Sequence, residues 1–206
     1  MSKRESQPKR VQRMLAICGI VGPIAYTIVL IAIGLLRPGY NHLKQSMSEL
    51  GEVGGPNAII MNTVGFILLG ALMIAFSLGL YRGIKEGSKI GPASIAMSGA
   101  GWIAVGLFHV DPNTVNTSAM LHVMGAMLVG LGFSVAPFSI ARRSRKDDRW
   151  VSYRPYSLAT GLLTAVLGLI FIFGGIEGWM GALQRTVVGV PLLWIEVMAI
   201  RLLRLS

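Results

Sequence analysis

Six stretches of this chain, 15–36, 58–80, 90–108, 118–140, 156–176 and 186–203, run for most of their length without a charged residue. The hydrocarbon core of a bilayer is about 30 Å thick, so a helix needs roughly 20 mostly apolar residues to cross it. Every backbone polar group in that core must be satisfied within the protein, which restricts spanning structures to helices and closed barrels. Barrel strands alternate apolar and polar residues over about ten positions, whereas these runs are continuously apolar. The sequence therefore predicts an all-α, polytopic membrane protein: one six-helix membrane domain over 15–203, preceded by a basic N-terminal segment at 1–14. The only charges inside the six runs are Glu196 and Arg201, both in the last. Composition agrees, because only 14% of residues are charged against about 25% in a typical soluble domain. The single cysteine, Cys18, excludes an intrachain disulfide. The first run is longer than the roughly 7–15 apolar residues of a signal peptide, so it is expected to be a retained span.

The cations fix an expected orientation. Sixteen of the nineteen lysines and arginines lie before the first run, between the second and third, between the fourth and fifth, or at the C-terminal end; Arg37, Lys44 and Arg185 are the other three. Cytoplasmic segments of membrane proteins carry the excess of basic residues, which predicts a multi-pass protein of the cell membrane with both termini cytoplasmic. The basic segments would meet anionic lipid headgroups, each cation contributing about 1 kcal/mol near the surface; nothing in the pattern calls for nucleic acid. Glu49, Glu52, Asp111 and Glu177 fall on the opposite, outward side together with His42, His109 and His122. Any titratable chemistry is expected there.

Two outward-starting runs share a pattern, Asn62-x-x-Gly65-x-x-x-x-Gly70 and His122-x-x-Gly125-x-x-x-x-Gly130, which reads as a weak internal repeat of helical hairpins. Small residues let membrane helices approach closely, so Gly99, Gly101, Gly125, Gly130, Gly132, Gly161, Gly168, Gly174 and Gly175 are expected at helix contacts. Ser46 followed three residues later by Glu49 has the form of a capping box at a short helix start.

Ser46, Ser48, Glu49, Asn62, Asp111 and His122 can all be placed near the outer ends of the second, third and fourth spans. They are the ligand-binding candidates, with Glu177, Arg185 and Glu196 as further candidates. Ionisable groups below a membrane interface cost about 2.5 kcal/mol or more unless paired, and so tend to face the bundle interior. The sequence favours binding or transport of a small polar molecule, ion or lipid headgroup, with no cofactor. One alternative is a metal-dependent intramembrane hydrolase acting on lipid, with zinc held by Asp111, His122 and His109, although no paired-histidine helix motif is present. The other is a purely structural polar network in a scaffold protein. Glu196 is expected to snorkel or pair with a nearby arginine, or else to serve as a proton-coupling carboxylate.

The combination of Gly22-Pro23, Pro38-Gly39-Tyr40, Ser46-Met47-Ser48-Glu49-Leu50-Gly51, Asn62, Phe108-His109-Val110-Asp111, His122, and Arg185 leading into Leu193-Trp194 resembles the prokaryotic six-helix membrane family catalogued as domain of unknown function 998. The resemblance covers nearly the whole chain. It implies the fold and a membrane location, and brings no established activity. Where that family would have Phe-Pro-x-Asp this chain has Phe-His-Val-Asp, so His109 is the weakest of the resembling positions.

Overall fold

The computed structural model describes residues 3–84, 87–114, 116–174 and 178–206; the candidate Glu177, together with Gly175, lies outside them. Six helices are long and apolar enough to cross a membrane. They are α1 (Lys3–Leu36), α2 (Ala58–Gly83), α3 (Ile90–Leu107), α4 (Thr117–Arg143), α5 (Arg154–Phe173) and α6 (Met180–Arg204). Among the described residues there is no strand, only an isolated bridge between Asp111 and Thr114. Two boundaries depart from expectation. α1 begins at Lys3, inside the basic segment 1–14, and runs through Pro8 in its second turn. α6 begins at Met180 rather than 186, so Arg185 belongs to its second turn.

Each helix packs on its neighbours in sequence, and α6 closes the ring against α1. The described residues of linkers 37–57, 108–116 and 174–179 lie at one end, called here the loop end. Those of the linkers after α2 and α4 lie at the other, the basic end.

Apolar side chains gain little by leaving lipid for a neighbouring helix, so association rests on close backbone approach. Gly70 of α2 and Gly99 of α3 face each other: a Cβ built on Gly99 would come within 2.6 Å of the Gly70 carbonyl oxygen. Gly101 of α3 and Gly125 of α4 repeat this, with a Cβ on Gly125 falling 2.9 Å from the Gly101 carbonyl oxygen. Gly130 and Gly168, expected at contacts, instead face open space. The second glycine of the Asn62/His122 pattern therefore packs in one hairpin and not in the other. α5 is the helix most exposed to lipid, and all its buried residues are small or polar: Ser157, Thr160, Gly161 and Thr164. Ser157 accepts a 2.9 Å bond from the Trp194 indole of α6.

Under the loop end, Tyr26, Phe66 and Trp102 form an aromatic cluster joining α1, α2 and α3, with ring centroids 5.3–6.4 Å apart. Here α2 is wound as a wider π-helix over Met61–Ile67, the segment that carries Asn62. Such segments often mark functional sites.

At the basic end, Arg143 is 4% exposed. It donates to the carbonyls of Tyr81, Ile84 and Ser88 at and beyond the C-terminus of α2. The last carbonyls of a helix have no partner within it, and a cation there also meets the negative end of the helix dipole. Arg143 is thus a helix cap as well as one of the cations of the basic end.

Gly99→Ala should destabilise the protein by about 1–3 kcal/mol, because the methyl group forces α2 and α3 apart. Gly130→Ala should leave stability unchanged or raise it by up to about 1 kcal/mol, since it only restricts an exposed helical glycine. Equilibrium unfolding of both variants in mixed micelles checks the contrast; equal losses would refute the packing assignment.

Candidate functional site

Residues 37–57 form a far longer connection than two antiparallel helices need, since helix–helix links of about 2–8 residues suffice. The segment folds back over the bundle instead of arching into water. Gly39 and Gly54 adopt φ +75 and +77 at its turns, a region that glycine enters without steric cost. Met47 and Leu50 are its apolar anchors, 3% and 0% exposed. The phenol of Tyr26 donates to the Met47 sulfur at 2.8 Å, and Ser48–Gly51 forms a single tight turn that follows the first anchor and contains the second.

The polar candidates hold this cap from several helices. Within the segment, Arg37, the residue after α1, donates its guanidinium to the Glu49 carbonyl and pairs with the Glu52 carboxylate at 2.5 Å. From α2, the buried Asn62 amide donates to the Gly51 carbonyl at 2.8 Å. Gly51 leaves no room for a Cβ, which would lie 3.0 Å from Asn62 Cγ. The carboxylate of Glu49 accepts from the Ser46 backbone N–H and from Gln45 Nε2, each at 2.8 Å. This is half of the expected capping box. The residue capping the turn is Met47, with no side-chain cap, so the Ser46 hydroxyl does not play its expected part.

α6 holds the first half of the cap. Arg185 Nη1 donates to the carbonyls of His42, Gln45 and Gly181 at 2.7–2.9 Å, and Nη2 to the Tyr40 hydroxyl at 2.5 Å. The guanidinium also lies over the Tyr40 ring, 5.7 Å from its centroid. The Gln184 side chain accepts from Met47 N–H at 2.7 Å.

α4 contributes His122, which is 6% exposed. Its Nδ1 lies 2.8 Å from the Phe108 carbonyl and its Nε2 2.9 Å from Ser48 Oγ. A carbonyl oxygen can only accept, so Nδ1 carries the proton. Nε2 is then the bare nitrogen, and the Ser48 hydroxyl donates to it.

The remaining candidates stand apart. Asp111 lies at the surface of the 108–116 linker, its carboxylate accepting from Asn113 N–H and the Thr114 hydroxyl at 2.9 Å each. These bonds hold it below the usual carboxylate range. His109 Nε2 is 3.0 Å from the Gly106 carbonyl. As a zinc donor set, Asp111, His109 and His122 do not fit as they stand: Asp111 is turned into its own loop and both nitrogens of His122 are engaged. Among the described residues no group of three histidine, cysteine, aspartate or glutamate side chains could hold a metal ion. Glu196 lies eleven residues further along α6 than Arg185, about 16 Å along the axis, towards the basic end. Arg201 does not pair with it; that guanidinium donates to the Arg149 carbonyl and lies over the Tyr153 ring.

The structure thus brings Ser48, Glu49, Asn62, His122 and Arg185 onto one cap, with Ser46 joining through its backbone, and leaves Asp111 and Glu196 outside it. Tyr26, Tyr40 and Gln45 join it without having been candidates. Tyr40 could have been found from the Pro38-Gly39-Tyr40 motif, and Tyr26 as a phenol in an otherwise apolar run; nothing in the sequence singles out Gln45.

The family model described as "Protein of unknown function (DUF998)" matches residues 20–201. No curated protein and no solved structure matches the chain.

Two outcomes test the cap. Glu49→Ala should cost about 1 kcal/mol in unfolding experiments, because the N–H of Ser46 and the Gln45 amide lose their acceptor, and Ser46→Ala should cost almost nothing. Equal effects would restore the full capping box. The second concerns His42, whose ring packs against Gly34 and edge-on to Tyr40 at 5.1 Å. Burial, and secondarily Arg185, push its pKa below the ordinary value of 6.5. A depressed pKa means that folding favours neutral His42, so its contribution is complete above pH 6.5 and is lost as pH falls through the folded-state value. Amide exchange across residues 40–57 should accelerate between pH 7 and 5 beyond the intrinsic pH dependence, and His42→Gln should remove that excess.

Proposed function

The chain belongs to the family of unknown function DUF998, and we propose that this member binds a small polar molecule, the headgroup of a membrane lipid, at its loop end. One observation carries the reading: residues 37–57 are folded into a cap held from α1, α2, α4 and α6. Long ordered loops on a rigid helical frame are where binding residues concentrate. Joining α1 to α2 requires no such cap. It lies where the apolar spans end, a depth at which lipid headgroups are the most abundant polar molecules.

The distribution of cations supports a loop end facing outward from the cell membrane, with both termini cytoplasmic. At the basic end Lys9, Arg82 and Arg149 line an open cleft of about 230 Å³, suited to the anionic headgroups of the opposite leaflet. Transport is less favoured by the geometry, because Glu196, the carboxylate available for proton coupling, lies far along α6 from the cap. The reading calls on no metal.

Native mass spectrometry of protein moved from membranes into detergent tests it. Retained lipid should be enriched in one headgroup class over the bulk membrane, and Arg185→Gln should reduce that enrichment about fivefold, or roughly 1 kcal/mol. Retained lipid of bulk composition in the wild-type protein would overturn the reading.

A further inference from the structure

We propose that Ser48 and His122 form a nucleophile–base pair that cleaves the carboxylic ester of a membrane lipid bound at the cap; this rests on the headgroup reading above. A serine hydroxyl becomes nucleophilic when an adjacent base takes its proton and a third group holds that base in the right tautomer. All three parts are present. Ser48 Oγ lies 2.9 Å from His122 Nε2, and the Phe108 carbonyl fixes the proton on Nδ1, 2.8 Å away. Phe108 is itself placed by its bond to Ala104 at the end of α3. A backbone carbonyl here occupies the orienting position that a carboxylate fills in the familiar serine triad.

The surroundings suit the chemistry. His122 is buried while Ser48 is partly exposed, so the base is the more shielded of the two residues. The Ser48 turn is pinned by Leu50 beneath it and by Asn62 on Gly51, which limits the freedom of the hydroxyl. His122 lies five residues into α4, about 7.5 Å along the axis from Thr117. The headgroup zone of a bilayer is roughly 5–7 Å deep on each side, and the ester carbonyls of a glycerolipid lie at its inner edge. With Thr117 set at the outer edge of that zone, the pair falls at the depth of those carbonyls.

In the reaction, Ser48 Oγ bonds to the ester carbonyl carbon as its proton passes to His122 Nε2. The C–O bond to the glycerol oxygen then breaks, and that oxygen leaves with the proton from Nε2. Water, deprotonated by the same nitrogen, attacks the acyl-serine, releasing the fatty acid and restoring Ser48. No oxidant or reductant takes part.

Labelling of the protein in nanodiscs with a fluorophosphonate probe, followed by peptide mapping, tests this. The probe should be found on Ser48, be absent in Ser48→Ala, and react about 100-fold or more slowly in His122→Gln, the scale of a lost general base. Hydrolysis of p-nitrophenyl butyrate should fall in parallel. The unfolding midpoint of each variant separates chemistry from misfolding. Should Ser48→Ala fail to fold, Ser48→Cys carries the test: its thiol should alkylate with iodoacetamide much faster than in the Ser48→Cys/His122→Gln double variant. An unlabelled Ser48 in the wild type, or His122→Gln labelling at the wild-type rate, would overturn the proposal. Lipid enrichment without labelling would leave the headgroup reading standing and this one refuted. Labelling without enrichment would establish the nucleophile–base pair and refute a membrane lipid as its substrate.

Discussion

A polar group buried from water must find its partner within the protein, and both ends of this bundle are arranged around that requirement. Two arginines answer it in the same way. Arg143 collects carbonyls where α2 ends, and Arg185 collects carbonyls where the first linker folds back onto α6. A guanidinium presents five donors in a rigid fork, so one side chain can serve several carbonyls that no regular structure reaches. Without Arg185, the exchange of water for protein partners along residues 42–45 would fail. The first half of the cap would then lose its tie to α6.

The cap also depends on the close approach of α2, α3 and α4. Glycine-to-glycine contacts at Gly70/Gly99 and Gly101/Gly125 draw these helices together. Gly106 continues the same stripe, where a Cβ would lie 2.6 Å from the Asn62 carbonyl oxygen. Asn62 and His122, on the two outer helices of the trio, can therefore reach one short turn, Ser48–Gly51, from opposite sides. Backbone packing in the apolar zone thus sets the geometry of polar groups at its rim.

The spans, their number and the family were legible in the sequence because each rests on bulk properties: run length, charge distribution and a motif set spread over the chain. Which candidates would meet was not. Asp111 and His122 look like partners on a helical hairpin, but an aspartate two residues before an available N–H satisfies itself locally. Asp111 does so with Asn113 and Thr114, and its place beside His122 is taken by the Phe108 carbonyl. Ser46 and Glu49 have the spacing of a capping box, yet only the carboxylate takes its part. Spacing predicts which bonds a local segment can make. Competition from distant groups such as Gln184 and Arg185 decides which it does make, and that competition is invisible along the chain.

The internal comparison between Asn62 and His122 bears on whether the second residue only anchors. They hold matching positions in two hairpins and reach the same turn. Asn62 uses its amide for a single bond to a carbonyl, which is all that anchorage requires. The contacts of His122, a donor towards Phe108 and an acceptor for Ser48, could also be met by an amide, which offers both functions. Unlike histidine, an amide would carry no risk of acquiring a charge in a buried place. What imidazole adds is the ability to take a proton from the hydroxyl it faces and return it. The difference between the two matched positions is thus the difference between holding the cap and acting through it.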